Sequence, residues 1–246
     1  MQSNDLERAL ADIFIMKETL LSLQNNVEDP ATAWVSINPV KGVESLTHLN
    51  EIDNDDTEAI IWERSLPSLV QTQLNNWPLE TLSDFRGILK LEDVCRCVES
   101  YFSDKSVPSS MARDWIINDI TSLAFQVGKQ FETSHLRLRI EIVNDDACRK
   151  FHIDAVKARL ICTYIGPGTE YGLAEGNDDP VHIARVPKGM PMLFKGKAWD
   201  GINQKRLKHR SPPISGQGVA RLVVVLEPVS AETEDYYSSV LHQIKS

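Results

Sequence analysis

The first half of the chain alternates apolar and polar residues with a helical period. Apolar residues return every three to four positions over residues 5–25, 91–102 and 111–131, and each of these stretches predicts an amphipathic helix. A shorter helix is expected over residues 67–74, where a proline stands in the first turn. Residues 27–56 combine two prolines with an acidic run, which predicts a loop, and residues 33–37 within it could form a short strand.

At His135 the period changes from that of a helix to that of a strand. Residues 136–142 carry an apolar side chain at every second position and predict a half-buried strand. Glycine- and proline-rich turns separate most of the other expected strands, which cover residues 59–62, 158–165, 191–195 and 219–226. The second half of the chain is therefore predicted to be mainly β.

This order of elements predicts an α+β protein. With 246 residues, of which 42% are hydrophobic, the chain is long enough to bury a large core. We expect a single domain over residues 1–246, in which residues 1–132 form a mainly helical support region and residues 133–246 form a β-barrel core. The helices would cover one face of a curved sheet or barrel, because a sheet must bury its apolar face against another layer.

The charge and composition of the chain argue against several classes of function. Lys and Arg number 26 against 35 Asp and Glu, which gives a net charge of −9, and we therefore expect no nucleic-acid partner. No apolar run approaches the roughly 20 residues that cross a bilayer, and the first residues lack the pattern of a signal peptide. We expect no membrane association and a reducing, cytoplasmic setting, in which the four cysteines form no disulfide framework.

Two histidines and one carboxylate are the strongest candidates for chemistry. His152 and Asp154 stand two residues apart, so that on an extended strand their side chains point to the same side. His209 supplies a second imidazole from a later segment, just before another expected strand. Two histidines and one carboxylate form the facial triad that binds non-haem Fe(II) and leaves coordination positions open. The pattern predicts a metal site formed by His152, Asp154 and His209.

The segments around these ligands resemble those of the Fe(II)/2-oxoglutarate-dependent dioxygenase superfamily. The apolar segment 189–194, the distal segment 209–213 and the strand 221–225 after a glycine turn are similar to the superfamily's distal signature. The resemblance implies a double-stranded β-helix, a jelly-roll or cupin-like core, that binds Fe(II) and 2-oxoglutarate and oxidises a small-molecule or protein substrate. It also implies that Arg221 binds the distal carboxylate of 2-oxoglutarate, which a guanidinium can hold through two hydrogen bonds. Arg210 is the alternative.

Several residues near the motifs have two interpretations each. Tyr164 and Arg159, on the strand after His-x-Asp, could bind the co-substrate or could be core and surface residues. Residues 166–188 form a long excursion, which is either a lid over the site or a solvated hairpin extension. Cys148 lies four positions before His152. Its sulfur could complete a zinc site or could be an inert thiol.

A narrower resemblance covers most of the chain. The strings Cys-x-x-Phe-His-x-Asp (148–154) and Cys-Thr-Tyr-x-Gly-Pro-Gly-Thr (162–169) are similar to those of a bacterial family described as a domain of unknown function. That resemblance implies an association with zinc homeostasis. A second hypothesis is therefore a non-catalytic, cupin-like protein that binds Zn(II) through the same triad and a fourth ligand such as Cys148. Arg221 separates the two hypotheses, because only the oxygenase needs it for a co-substrate.

Overall fold

The structure, a computed structural model, describes residues 39–146, 148–201 and 206–229. The helix expected over residues 5–25 and the short strand considered over residues 33–37 lie outside the described residues. The helices are α1 (Ser68–Leu74), α2 (Val94–Asp104) and α3 (Met111–Gln130), and short 3-10 helices cover Leu46–Asp53, Leu79–Thr81 and Leu91–Asp93. The strands are β1 (Val40–Val43), β2 (Ala59–Trp62), β3 (Phe85–Lys90), β4 (His135–Val143), β5 (Ala158–Ile165), β6 (Glu170–Leu173), β7 (Ala184–Arg185), β8 (Met192–Lys195), β9 (Leu207–Arg210) and β10 (Arg221–Pro228).

Seven of the described strands form one large sheet in the order β1-β2-β8-β5-β10-β4-β3. All neighbouring pairs are antiparallel except β1 and β2, which are parallel. The strand β10 pairs with both β4 and β5 and is buried along most of its length. The predicted α+β class is confirmed, with a large, mainly antiparallel sheet at its centre.

The three helices cover one face of this sheet. The side chains of Leu222, Val224 and Leu226 on β10 point to the helices and join a continuous apolar core. Helix α3 is preceded by the N-cap residue Ser110, whose hydroxyl accepts a hydrogen bond from the Arg113 N–H at 3.2 Å and so caps the first turn. Each fully buried Leu or Ile contributes roughly 1.5–3 kcal/mol to the free energy of folding. The helical layer therefore stabilises the large sheet.

A second, three-stranded sheet, β7-β6-β9, packs on part of the opposite face. Apolar side chains from both sheets meet there, among them Ile61, Tyr171, Met192, Phe194 and Leu207. The other part of that face, on β10, β4 and β3, borders a cavity. The smaller sheet thus leaves an opening along one side of the larger one.

The structure corrects several details of the predicted organisation. Residues 27–56 contain β1 and a 3-10 helix rather than a loop alone, and the region before residue 133 contributes three strands to the large sheet. The excursion 166–188 contains β6 and β7. His209 lies within β9 and not before a strand. Within the described ranges, no helix combines the length and apolar character required to cross a membrane.

Candidate metal centre

His152 and His209 form an isolated antiparallel bridge. The backbone N–H of each residue donates to the carbonyl oxygen of the other, and both N···O distances are 3.0 Å. Residues that lie directly opposite each other in an antiparallel pair project their side chains to the same face. The two imidazole ring centroids are accordingly 4.6 Å apart. The backbone pairing alone therefore brings two of the predicted ligands together.

Asp154 completes the group from the loop before β5. Its Oδ1 lies 3.5 Å from His152 Nε2, and its Oδ2 lies 3.2 Å from His209 Nε2. One ligand atom from each of the three residues lies within 4.8 Å of the other two. The predicted triad is therefore assembled in one place by two segments that are distant in the chain.

Gly196 allows the loop that carries Asp154 to approach the backbone at the end of β8. The Lys197 N–H donates to the Asp154 carbonyl oxygen at 2.7 Å, and the Gly196 N–H donates to the Lys157 carbonyl oxygen at 2.8 Å. A Cβ at position 196 would lie 1.8 Å from the Val156 carbonyl oxygen, which is far inside van der Waals contact. Only glycine fits this position without displacing the loop.

These residues fit a divalent metal ion. His152 Nδ1 lies 2.9 Å from the Lys150 carbonyl oxygen, and since a carbonyl only accepts, Nδ1 carries the proton and Nε2 keeps its lone pair. Asp154 Oδ2 is buried and makes no hydrogen bond with proper geometry, although His209 Nε2 is close. Buried polar atoms are almost always satisfied, so an oxygen in this position fits a site in which a cation is its partner.

The electrostatic environment also suits metal binding. Burial alone would raise the pKa of Asp154, but the imidazoles of His152 and His209 and the charge of Arg159 lower that pKa well below its ordinary value. Burial lowers the pKa of His209, which favours the neutral imidazole. A metal ligand needs a deprotonated carboxylate and an unprotonated ring nitrogen, and both are favoured at Asp154 and His209. The hydrogen bond with Asp154 raises the pKa of His152, so a metal ion would have to displace a proton from that ring.

Arg159 is engaged by two carboxylates and is not a free cation. Its Nη1 donates to Asp154 Oδ1, and its Nε donates to Glu227 Oε1 at 2.8 Å. Glu227 is buried, with 3% of its surface exposed. The structure thus places Arg159 beside the candidate metal centre, where it contacts Asp154 of the triad.

Arg221 is a buried cation whose hydrogen-bond partners are all neutral. Its Nε donates to the Pro167 carbonyl oxygen at 2.7 Å, its Nη1 to Ser211 Oγ at 2.9 Å and its Nη2 to Thr163 Oγ1 at 3.2 Å. Only 1% of the residue is exposed, and no carboxylate of a described residue forms an ion pair with it. Burial lowers the pKa of Arg221 to about 10, so it remains charged at neutral pH.

One cavity connects Arg221 with the metal centre. It has a volume of about 340 Å³, and Arg221, His152 and His209 all line it. Ile161, Val223 and Val225 provide an apolar part of the same wall.

Tyr164 lies away from this cavity. It is on the helix-facing side of β5, and its hydroxyl donates to Asp119 Oδ2 at 2.6 Å within the helix-side core. The alternation of side chains along β5 explains the difference, because Arg159 and Ile161 face the cavity whereas Tyr164 faces α3. Of the two interpretations of Tyr164, the geometry therefore fits the core residue.

Arg210 and Cys148 line the cavity without joining the triad. The Arg210 Nε donates to Glu170 Oε2 at 2.8 Å, and its guanidinium stacks on the Phe151 ring at 4.3 Å. Among the described residues, the group of ligand atoms that can hold a metal comprises His152, Asp154 and His209, and the Cys148 sulfur is not part of it.

Glu227 is a residue of this site that the sequence interpretation missed. It stands six positions after Arg221 on β10, and the period of two along a strand places both on the same face. The sequence signal for it is an acidic residue near the end of a strand that is otherwise apolar after Arg221. Its role in the site depends on the contact with Arg159 on β5, and the sequence pattern does not show which strands are neighbours.

The protein has a mixed α+β fold, in which two histidines and one aspartate come together as a candidate metal centre. The chain belongs to the family described as "Protein of unknown function (DUF1826)", and the match covers residues 44–227. A comparison with curated proteins gives no match.

Several solved structures are distantly similar. The dioxygenase for auxin oxidation 1 from Arabidopsis thaliana, in complex with 2-oxoglutarate, is 12% identical, with 80% of this chain and 99% of that chain covered and a TM-score of 0.41. The dioxygenase for auxin oxidation in rice is 12% identical, with 83% and 95% covered and a TM-score of 0.45. A Pseudomonas putida prolyl-4-hydroxylase is 12% identical, with 75% and 99% covered and a TM-score of 0.41. Similarity at this level of identity and TM-score does not identify a reaction for this chain.

Proposed function

We propose that the protein is an Fe(II)/2-oxoglutarate-dependent oxygenase with a double-stranded β-helix core. In this proposal His152, Asp154 and His209 hold the metal, and Arg221 binds the distal carboxylate of 2-oxoglutarate. One observation carries the proposal: a three-ligand centre and a buried guanidinium with neutral partners face the same cavity. The substrate would enter through the open side of the large sheet.

The ligand set supports a catalytic rather than a structural metal. Structural zinc sites are usually closed by four protein ligands, whereas catalytic sites keep a position open. Two imidazoles and one carboxylate with open positions are typical of non-haem Fe(II) oxygenases. When bound, Fe(II) and 2-oxoglutarate would supply the oxidation chemistry, while the protein supplies binding and orientation.

Arg221 supports the co-substrate because of what surrounds it. A buried charge is costly unless it is paired, and its three hydrogen-bond partners orient the guanidinium without neutralising it. Glu141 and Glu170 act on Arg221 only at a distance, and a carboxylate in the cavity would provide a direct ion pair. Arg210 is less suited to this role, because Glu170 already binds it.

The apolar part of the wall strengthens this interaction. Val223 and Val225 follow Arg221 on the cavity face of β10, and Ile161 lies on the neighbouring strand. A charge pair beside such side chains is screened less than in bulk water. The chain therefore offers an oriented, partly desolvated receptor for an anion next to the metal ligands.

Binding of 2-oxoglutarate to the anaerobic Fe(II)-loaded protein tests the proposal. Isothermal titration should show binding to the wild type and an affinity about 10- to 100-fold lower in Arg221→Met, because a hydrogen bond to a charged group contributes roughly 1.5–3 kcal/mol. The affinity for metal should stay unchanged in this variant. Arg185→Met is the matched control, since Arg185 pairs with Glu170 at 2.7 Å and does not line the cavity.

Two results would contradict the proposal at different points. A wild-type protein that binds Fe(II) but no 2-oxoglutarate would exclude the oxygenase. Wild-type affinity for 2-oxoglutarate in Arg221→Met would keep the oxygenase but remove Arg221 as the co-substrate receptor.

A further inference from the structure

The guanidinium of Arg159 bridges two carboxylates beside the metal centre. Its Nη1 donates to Asp154 Oδ1, while its Nε and Nη2 lie 2.8 Å and 2.5 Å from Glu227 Oε1. Asp154 belongs to the triad, whereas Glu227 does not. Arg159 therefore links the carboxylate of the metal centre to a second carboxylate on β10.

Glu227 is a fixed anchor for this link. Besides Arg159 it binds Arg137 Nη1 at 2.9 Å and Arg139 Nη2 at 3.3 Å. The backbone of Glu227 is paired with Arg137 in the sheet, and its side chain is only 3% exposed. A buried carboxylate held by three arginines has little freedom to rotate, and it restricts the rotation of Arg159 in turn.

The two oxygens of Asp154 consequently have different surroundings. Oδ1 accepts from Arg159, whereas Oδ2 is buried without a hydrogen-bond partner and lies 3.2 Å from His209 Nε2. A planar guanidinium that holds one oxygen leaves the other free to face a metal ion. The orientation of the carboxylate is thus set from outside the triad.

We propose that Arg159, anchored by Glu227, is a positioning residue that makes Asp154 a ligand through one oxygen only. This inference rests on the metal centre of the proposed function. A carboxylate that binds through both oxygens occupies one more coordination position, and fewer then stay open. Arg159 would therefore preserve the open positions on which a co-substrate depends.

Titration of the full-length protein with Co(II) tests this role without any substrate. The Arg159→Met variant should bind Co(II) about 10- to 100-fold more weakly, which is the usual effect of losing an outer-shell partner. The visible d–d absorption per bound Co(II) should also fall, because its intensity decreases when a second carboxylate oxygen joins the metal. Arg159→Lys should recover part of the affinity, since it keeps the charge but lacks the planar fork.

Arg86→Gln is the control for loss of positive charge. Arg86 lines the same cavity, but it pairs with Glu141 at 3.7 Å and belongs to neither side of the link between Asp154 and Glu227. We expect wild-type Co(II) affinity and a wild-type spectrum in this variant. If Arg86→Gln reproduces the change seen in Arg159→Met, the effect reflects a general loss of charge and the inference is overturned.

The remaining outcomes separate this inference from the proposed function. If wild-type protein binds Co(II) and Arg159→Met has the same spectrum per bound ion, with or without a lower melting temperature, Arg159 has a structural role only. That result overturns the inference and leaves the metal centre intact. If wild-type protein binds no Co(II), the metal centre and the inference both fail.

Discussion

His152 and His209 face each other across a bridge of one residue pair, in which each backbone N–H donates to the other residue's carbonyl oxygen at 3.0 Å. The strands β5, β6, β7 and β8 all lie between them in the chain. The main chain, and not contact between the rings, therefore sets the positions of the two imidazoles. A side-chain substitution should remove a ligand and keep the bridge.

The first prediction concerns His152. His152→Ala should lose more metal affinity than the roughly 10- to 100-fold that an outer-shell change costs, because a direct ligand is removed. Its side chain is 37% exposed, so the stability of the apo-protein should change little. Competition with a chromophoric chelator measures the affinity, and thermal unfolding measures the stability. His182→Ala, on the β6–β7 excursion and outside the cavity, should behave like the wild type in both assays.

The second prediction concerns the loop that carries Asp154. In Gly196→Ala the new methyl group would lie 1.8 Å from the Val156 carbonyl oxygen, so the loop must move. We expect a loss of about 1–3 kcal/mol in the free energy of unfolding, which is typical of overpacking, together with weaker metal binding. Denaturant titration and Co(II) titration measure the two effects.

Gly216→Ala provides the comparison for that variant. Gly216 has φ of +74°, but a Cβ there would have no atom within 4 Å. Its substitution should cost backbone energy alone and leave metal affinity unchanged. Equal metal affinity in Gly196→Ala and the wild type would show that the close approach at residue 196 does not position Asp154.

The third prediction concerns Tyr164. Burial raises the pKa of its phenol well above the ordinary value, so it stays protonated and donates to Asp119. Tyr164→Phe should lower the free energy of unfolding by about 1.5–3 kcal/mol, the contribution of a hydrogen bond to a charged group. Its affinity for 2-oxoglutarate should equal that of the wild type, because the hydroxyl faces the helices.

Tyr101→Phe is the control for the size of this effect. The Tyr101 hydroxyl donates to the Ser83 carbonyl oxygen at 2.8 Å, which is a neutral acceptor. Its removal should cost only about 0.5–1.5 kcal/mol. A marked loss of 2-oxoglutarate affinity in Tyr164→Phe, but not in Tyr101→Phe, would contradict this assignment and show that Tyr164 contributes to co-substrate binding.

The three residues of the triad could be predicted from the sequence because each belongs to a short, recognisable motif. His152 and Asp154 are two residues apart, and His209 is set off by the glycine- and proline-rich segments around it. The long strands were accessible for a similar reason: apolar residues on β4 and β5 follow the period of the strand closely.

The short strands of the second sheet were not accessible in this way. The strand β9 reads Leu-Lys-His-Arg, yet Lys208 and His209 are both buried. Lys208 is buried because its ammonium donates to the Asp178 carbonyl oxygen, a partner that lies in a distant loop. Because the buried residues of such a strand are polar, its apolar residues do not alternate with polar ones. The alternation of apolar and polar residues therefore does not predict a strand there.

The bridge formed by Arg159 was hidden for a related reason. Its two partners, Asp154 and Glu227, belong to different segments, and only the pairing of β5 with β10 brings them together. The sequence therefore indicates the candidate metal ligands but not the residues that would orient them.

The most direct test of the central claim is an anaerobic absorbance titration of metal-free protein with Fe(II) and then with 2-oxoglutarate. The proposed site predicts a visible metal-to-ligand charge-transfer band that needs both additions and is absent in His152→Ala. Tight retention of Zn(II) through dialysis, with no such band in the wild type, would contradict the oxygenase and favour a protein that only binds metal.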